Sequence, residues 1–148
     1  KEKVHLAKPE AKVTTPITSV IKALDKFNIK KISIFTPYTK TINDSVVGYF
    51  NEKNITVNSL TYFDIDSDLD IGKVDESYLF DVLSKIDMED SDALFVSCTA
   101  LPVLSIIEKL EKKINKIVLS SNQTLIWDSL NQINYKEKIE GFGKLFDN

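Results

Sequence analysis

Hydrophobic residues follow two patterns in this chain, one typical of buried strands and one typical of amphipathic helices. Strand-like runs occur at 31–36, 55–63, 93–98 and 116–121. In the segments at about 15–27, 40–51, 75–87, 99–113 and 122–133, apolar residues recur every three or four positions. The pattern therefore predicts helices that alternate with four strands along the chain.

Alternation of strands and helices with short connections is typical of an α/β fold. We predict a doubly wound, four-stranded parallel sheet with helices on both faces, a flavodoxin-like unit. The run at 55–63 is the most polar of the four, as expected of an edge strand, so the predicted strand order is 2-1-3-4. This order puts the topological switch point, where such sheets bind ligands, at 36–39 and 98–101.

The only cysteine, Cys98, lies at that switch point. An apolar strand runs into it, and Thr99 to Pro102 reads as the start of a helix, which would offer free N–H groups to an anion. Two interpretations are open. A lone cysteine is often a small buried hydrophobic residue. Ser97 and Thr99, however, are poor core residues because buried hydroxyls need partners.

The amino-acid composition argues against several classes of function. The net charge is −3, there is no arginine, and the lysines are scattered, so we expect no nucleic-acid or membrane partner. No apolar segment is long enough to span a bilayer, and a single cysteine favours a reducing, cytoplasmic setting. His5 is the only histidine, so no histidine cluster can hold a metal. The acidic run at 64–70 lacks the glycine and glutamate of a calcium-binding loop, so we predict a solvated loop there.

The ends of the chain differ in pattern from its middle. Residues 1–13 are charged and without clear period, and we predict an arm or linker from a missing N-terminal half. Residues 14–133 form the predicted α/β domain, in which Thr15 and Pro16 start the first helix. Residues 134–148 are predicted to leave the sheet layer and dock on the missing half. Because Met88 is the only methionine, we expect the chain to be part of a longer protein.

Several short motifs along the chain are similar to those of one enzyme superfamily. They are Thr14-Thr-Pro-Ile-Thr-Ser, Thr36-Pro-Tyr38, Ile71-Gly-Lys-Val, Ser97-Cys98-Thr-Ala-Leu, Ser120-Ser-Asn122-Gln123 with Trp127, and Gly141-Phe-Gly-Lys-Leu. In this order they resemble the aspartate/glutamate racemase superfamily, in its maleate isomerase and arylmalonate decarboxylase branch. That resemblance implies two α/β halves facing across a cleft, each with a cysteine, and no cofactor. This chain resembles the second half.

The resemblance also implies roles for individual residues. Cys98 would be catalytic and would give or take a proton at the carbon next to a substrate carboxylate. The N–H groups of Thr99 and Ala100 would hold that carboxylate, and Tyr38 with Thr36, from the Thr-Pro-Tyr turn, would complete the substrate-binding residues. Some isomerases have an asparagine near the position at which this chain has Asp68, so the chain departs from the family pattern in that loop.

Two hypotheses of function follow. In the first, the chain is the cysteine-bearing half of a racemase, cis-trans isomerase or decarboxylase that acts on a small carboxylic or dicarboxylic acid. The chain alone would then fold without turnover, and a homo-oligomer is possible. In the second, it is a flavodoxin-like binding or sensor module in which Cys98 is inert. A receiver domain is disfavoured because the first strand does not end in aspartate, and no glycine-rich phosphate loop is present.

Overall fold

The computed structural model of the chain describes residues 2–88 and 90–147 and contains one parallel sheet. Its strands are β1 (Lys31–Thr36), β2 (Thr56–Tyr62), β3 (Ala93–Val96) and β4 (Ile117–Ser120). They lie in the order β2-β1-β3-β4, and every neighbouring pair is parallel. The predicted α/β class and strand order 2-1-3-4 are confirmed, and the polar strand β2 lies at an edge.

The described residues contain seven α-helices: α1 (Glu2–Ala7), α2 (Pro16–Lys26), α3 (Lys40–Glu52), α4 (Asp68–Ile71), α5 (Glu76–Leu83), α6 (Ile107–Ile114) and α7 (Ser121–Gln132). Two 3-10 turns occur at Leu104–Ile106 and Lys144–Phe146. None of these helices, across 2–88 and 90–147, is long and apolar enough to cross a membrane.

The core consists of two apolar layers, one on each face of the sheet. Because strand side chains alternate, Ile32 and Ile34 of β1 belong to the layer that also contains residues of α2 and α3. Phe35 points to the opposite face and belongs to the layer with residues of α5 and α6. Helices therefore cover both faces, as predicted.

The start of the first predicted helix is also confirmed. Thr15 is the N-cap of α2, its side chain accepts the N–H of Thr18, and Pro16 is the first helical residue. Val20 and Leu24, on the predicted apolar face, are fully buried.

The helix predicted directly after Cys98 begins later than expected. Residues 99–103 are irregular, a 3-10 turn follows, and α6 starts only at Ile107. Pro102 explains the delay: it lacks an N–H and disfavours helical backbone at the residue before it. At this edge of the sheet, α3 begins a few residues after β1 and α7 begins directly after β4.

Other helix details differ from the sequence prediction. The helix predicted at 122–133 begins at Ser121, and its N-cap Ser120 forms a capping box with Gln123. Ile42 and Tyr78, two apolar residues of the helices predicted at 40–51 and 75–87, are 48% and 57% exposed. The helix predicted at 75–87 ends at Leu83, and the acidic segment predicted as a loop contains the short helix α4. The rotation of α3 turns Asn43 inward, and Tyr78 stacks on Phe63 at the surface.

The terminal segments also contain local structure. Residues 2–7, within the predicted arm, form a helix with no buried residue, and the His5 ring lies 2.9 Å from the carbonyl oxygen of Ala11. At the other end, Leu145 is fully buried in the layer with α2 and α3, whereas Phe142 is 39% exposed. Docking of residues 134–148 on a second half remains a prediction, and Leu145 already packs within this domain.

Candidate active site

Three neighbouring strands end at one edge of the sheet and bring together residues that are distant in sequence. Val96 of β3 pairs with Phe35 of β1 on one side and with Ser120 of β4 on the other. The chain continues past these positions into the turn at 36–39, the turn at 97–101 and the start of α7. The predicted switch point is therefore where the structure places Cys98.

Cys98 is 5% exposed, and its backbone and side chain are both hydrogen-bonded. Its N–H donates to Oγ of Ser121, with 3.2 Å between the two atoms. Its Sγ accepts the N–H of Ala100 at 3.3 Å. The thiol is thus held beside a backbone donor at the carboxyl end of β3.

Tyr38 extends from the end of β1 to the same thiol. Its side chain is close enough to the side chains of Cys98 and Ser97 for both to affect its ionisation. Burial raises the pKa of Tyr38 well above its ordinary value, and the negative charges of Cys98 and Asp68 raise it further. Tyr38 therefore stays a neutral phenol, able to donate a hydrogen bond, near neutral pH.

Thr36 lies under this turn. It is fully buried; its Oγ1 donates to Oδ1 of Asn43 at 2.5 Å and accepts the N–H of Tyr38 at 3.2 Å. Nδ2 of Asn43 in turn donates to the carbonyl oxygen of Tyr38 at 3.0 Å. The Thr36 hydroxyl is engaged inside the protein, where it fixes the backbone on both sides of Tyr38.

The other two predicted binding residues, Thr99 and Ala100, follow Cys98 in the turn. Thr99 is exposed and Ala100 is half-buried. The carbonyl oxygen of Thr99 accepts a hydrogen bond of 2.9 Å from Nδ2 of Asn122. The structure thus brings Tyr38, Cys98 and Ala100 together, with Thr99 at the rim.

Asp68 adds negative charge beside the site. Asp68, in the first turn of α4, is exposed and acts on Tyr38 through its charge. The end of α4 adjoins the cysteine turn, since a Cβ placed on Gly72 would lie 3.9 Å from the carbonyl oxygen of Ala100. The nearby Lys40 and Lys73 are paired with aspartates of their own segments. A bound anion here would depend on N–H and O–H donors.

Asn43 and Ser121 contact the site residues but were not predicted from the sequence. The sequence contains only a weak indication of the role of Asn43, which is a polar residue on the apolar face of a predicted helix. Ser121 adjoins the predicted strand end, but its contact with Cys98 depends on the pairing of β3 with β4. Within 2–88 and 90–147, no cluster of three or more histidine, cysteine or acidic residues is arranged to hold a metal ion.

Comparison with known proteins assigns this chain to a family. A family model described as arylmalonate decarboxylase matches residues 5–146, almost the whole chain. The chain belongs to the arylmalonate decarboxylase family. Among curated family relatives, the maleate isomerase of Geobacillus stearothermophilus is 26% identical over 136 residues, which are 91% of this chain and 54% of that protein. The arylmalonate decarboxylase of Bordetella bronchiseptica is 25% identical over 137 residues, 90% of this chain and 57% of that protein.

Solved structures show the same fold. The maleate cis-trans isomerase of Nocardia farcinica superposes with a TM-score of 0.91 at 18% identity, over 98% of this chain and 60% of that one. The maleate isomerase of Pseudomonas putida S16 gives a TM-score of 0.86 at 24% identity, over 90% of this chain and 54% of that one. The chain therefore spans about half the length of the relatives it matches.

Proposed function

We propose that this chain supplies the cysteine-bearing half of an active site that transfers a proton at the carbon next to a carboxylate of a small acid. The observation that carries the proposal is the placement of Cys98. Its sulfur accepts the Ala100 N–H at the switch point of a family fold, and Tyr38 packs against the same buried cluster. A second wall of the cleft would come from a further domain, since the matched relatives are about twice as long as this chain.

The relatives support this reading of the cysteine. They are maleate isomerases and an arylmalonate decarboxylase, enzymes whose names describe reactions of dicarboxylic acids. One Nocardia farcinica maleate isomerase structure holds a covalently bound succinylcysteine intermediate, so in that relative a cysteine carries the intermediate. Cys98, the only cysteine of this chain, is therefore the natural candidate for the reacting group here.

The proton step uses only groups of this chain and the substrate. As a thiolate, Cys98 takes the proton from the carbon next to the carboxylate, and the electron pair of the C–H bond moves into an enediolate. In the reverse direction the thiol protonates that carbon and becomes a thiolate. In a decarboxylation, loss of CO₂ forms the enediolate that the thiol protonates. N–H groups beside the sulfur and the Tyr38 hydroxyl stabilise the negative charge on the carboxylate oxygens.

Alkylation of the native chain tests the proposal. Iodoacetate and iodoacetamide form the same S–C bond with displacement of iodide, but only iodoacetate carries a carboxylate. If the turn at Cys98 binds carboxylates, the rate ratio of iodoacetate to iodoacetamide should be higher in the native chain than in the urea-unfolded chain. Hydrogen bonds to a charged group contribute about 1.5–3 kcal/mol, so we expect a ratio roughly tenfold higher. Maleate should slow both reactions.

The result also separates the two hypotheses of function. A native ratio equal to the unfolded ratio, or a thiol that reacts with neither reagent up to pH 9, would overturn the proposal. Cys98 would then be an inert residue in a flavodoxin-like binding or sensor module.

A further inference from the structure

The start of α7 lies against the turn that contains Cys98. The N–H of Cys98 donates to Oγ of Ser121 at 3.2 Å, and the carbonyl oxygen of Thr99 accepts from Nδ2 of Asn122 at 2.9 Å. Two consecutive residues of α7 therefore hold two consecutive residues of the turn, across 23 positions of sequence.

Peptide geometry links this contact to the thiol. The carbonyl of Thr99 and the N–H of Ala100 belong to one planar trans peptide unit, in which they point in opposite directions. When Asn122 draws the Thr99 oxygen toward α7, the Ala100 N–H is turned the other way. In this structure it points at Sγ of Cys98, 3.3 Å from its nitrogen.

The first turn of α7, which carries Ser121 and Asn122, is itself held by buried hydrogen bonds. The N–H of Gln123 donates to Oγ of Ser120 at 3.2 Å, and the N–H of Ser120 donates to Oε1 of Gln123 at 3.2 Å. Oγ1 of Thr124 donates to the carbonyl oxygen of Ser120 at 2.9 Å. Ser120, Gln123 and Thr124 are all fully buried. The first turn of α7 is thus a rigid support that continues directly from β4.

From these contacts we infer that Ser121 and Asn122 are positioning residues, which fix the Cys98–Ala100 turn so that the Ala100 N–H lies beside the sulfur. Ser121 sets the backbone of Cys98, and Asn122 sets the peptide that carries the donor. Both hydrogen bonds are made to backbone atoms of the turn. The inference rests on the proposed function for its role in carboxylate binding, whereas the geometry of the turn is independent of that function.

Asn122→Ala is the direct test because Asn122 is only half-buried and its loss leaves the capping box of α7 in place. Asn131→Ala is the matched control, since Asn131 is an exposed asparagine at the other end of the same helix. Ser121→Ala, with exposed Ser129→Ala as its control, tests the second contact. Circular dichroism and thermal unfolding identify any variant that does not fold. If Ser121→Ala does not fold, the result for Asn122→Ala decides the test.

Two readouts on the 148-residue chain separate the turn geometry from the proposed function. Amide hydrogen exchange of Ala100 should become faster in Asn122→Ala, and that of Cys98 faster in Ser121→Ala, with both unchanged in the controls. The raised ratio of iodoacetate to iodoacetamide alkylation should fall to the unfolded-chain value in Asn122→Ala. A general loss of stability would not change that ratio while Cys98 remained folded into its turn.

The possible outcomes are distinct. Unchanged exchange of Ala100 in Asn122→Ala, or a wild-type alkylation ratio retained in that variant, would overturn the positioning role. If the wild-type chain shows no preference for iodoacetate, the proposed function fails, and faster Ala100 exchange in Asn122→Ala would still support the geometric part of the inference.

Discussion

The N–H of Ala100 donates a hydrogen bond to Sγ of Cys98, with 3.3 Å between the nitrogen and the sulfur. The donor comes from two residues further along the chain, so the turn itself supplies a polar partner for the thiol. A buried cysteine that served only to fill space would need no such partner. The contact therefore motivates the first prediction.

Cys98→Ser should leave the fold nearly unchanged but remove the proton-transfer group. The hydroxyl is close in volume to the thiol, and its pKa is too high for it to exchange a proton near neutral pH. In a protein that carries both halves of the site, we expect turnover to fall on the order of 10²-fold or more, the usual scale for a positioned acid-base group. Steady-state rates and circular dichroism check this, and full turnover by the variant would refute the role of Cys98.

The chain alone should fold but not turn over. One half supplies one thiol and one wall of the cleft, so water would reach a bound acid and the second proton carrier would be missing. Incubation of the purified chain with maleate, followed by absorbance and chromatographic separation of fumarate from maleate, measures this. Turnover at rates comparable to those of a complete maleate isomerase would contradict the prediction.

Tyr38 should remain un-ionised at pH values at which ordinary tyrosines lose their proton. Burial and the charge of Cys98 raise its pKa, whereas tyrosines normally ionise near pH 10. In an ultraviolet titration, the native chain should show less tyrosinate at pH 11 than the urea-unfolded chain, in which all five tyrosines ionise. Tyr38→Phe should leave the native signal unchanged.

The sign of the stability effect follows from the same shift. Because the folded-state pKa of Tyr38 is raised, its contribution to stability is complete below about pH 10, the ordinary pKa, and is lost as the pH rises toward the folded-state value. The wild-type chain should therefore lose stability relative to Tyr38→Phe above pH 10. A constant difference between the two proteins would contradict the environment described for Tyr38.

Asp68→Asn should improve the binding of dicarboxylates. The carboxylate of Asp68 adds negative charge close to Tyr38, and the lysines nearby are paired with other aspartates. Removal of one charge at this range should raise the affinity for maleate roughly threefold to fivefold, more than for a monocarboxylate. Protection of Cys98 from iodoacetamide by each acid measures these affinities. Asp66→Asn, in the same acidic segment, is the control and should have a smaller effect.

Glu111→Gln should loosen the C-terminal segment. The carboxylate of Glu111 is 3% exposed and accepts the N–H of Val118 at 3.0 Å and the N–H of Lys144 at 2.8 Å. A glutamine side chain has one oxygen and would turn its NH₂ group toward the other donor, which should cost about 1–3 kcal/mol in the free energy of unfolding. Urea unfolding at pH 7 checks this, with Glu108→Gln as a more exposed control on the same helix.

The difference between wild type and Glu111→Gln should depend on pH. Burial raises the pKa of Glu111 despite the two N–H donors. Its contribution to stability is therefore complete below its unfolded-state pKa, near 4.3, and is lost as the pH rises through the folded-state value. The stability difference should narrow between pH 4 and pH 7. A difference that widens over this range would show that the pKa shift has the opposite sign.

The sequence by itself determined the frame of the protein. The spacing of apolar residues predicted the strands and most helices, the polarity of 55–63 predicted the edge strand, and these together placed Cys98 at the switch point. These features are local, because burial on one face imposes a period of two on strands and 3.6 on helices. Thr15 and Pro16 likewise predicted the start of α2, since capping depends on neighbouring residues.

Only the tertiary structure decided the contacts between residues that are distant in sequence. The periodicity of α3 is compatible with either Ile42 or Asn43 facing inward, and the buried partners that Thr36 and Tyr38 offer select Asn43. Likewise, only the pairing of β3 with β4 brings the start of α7 to Cys98. A hydrogen bond across the sheet leaves no period in the sequence, so the residues that hold the thiol became visible only once the strands were paired.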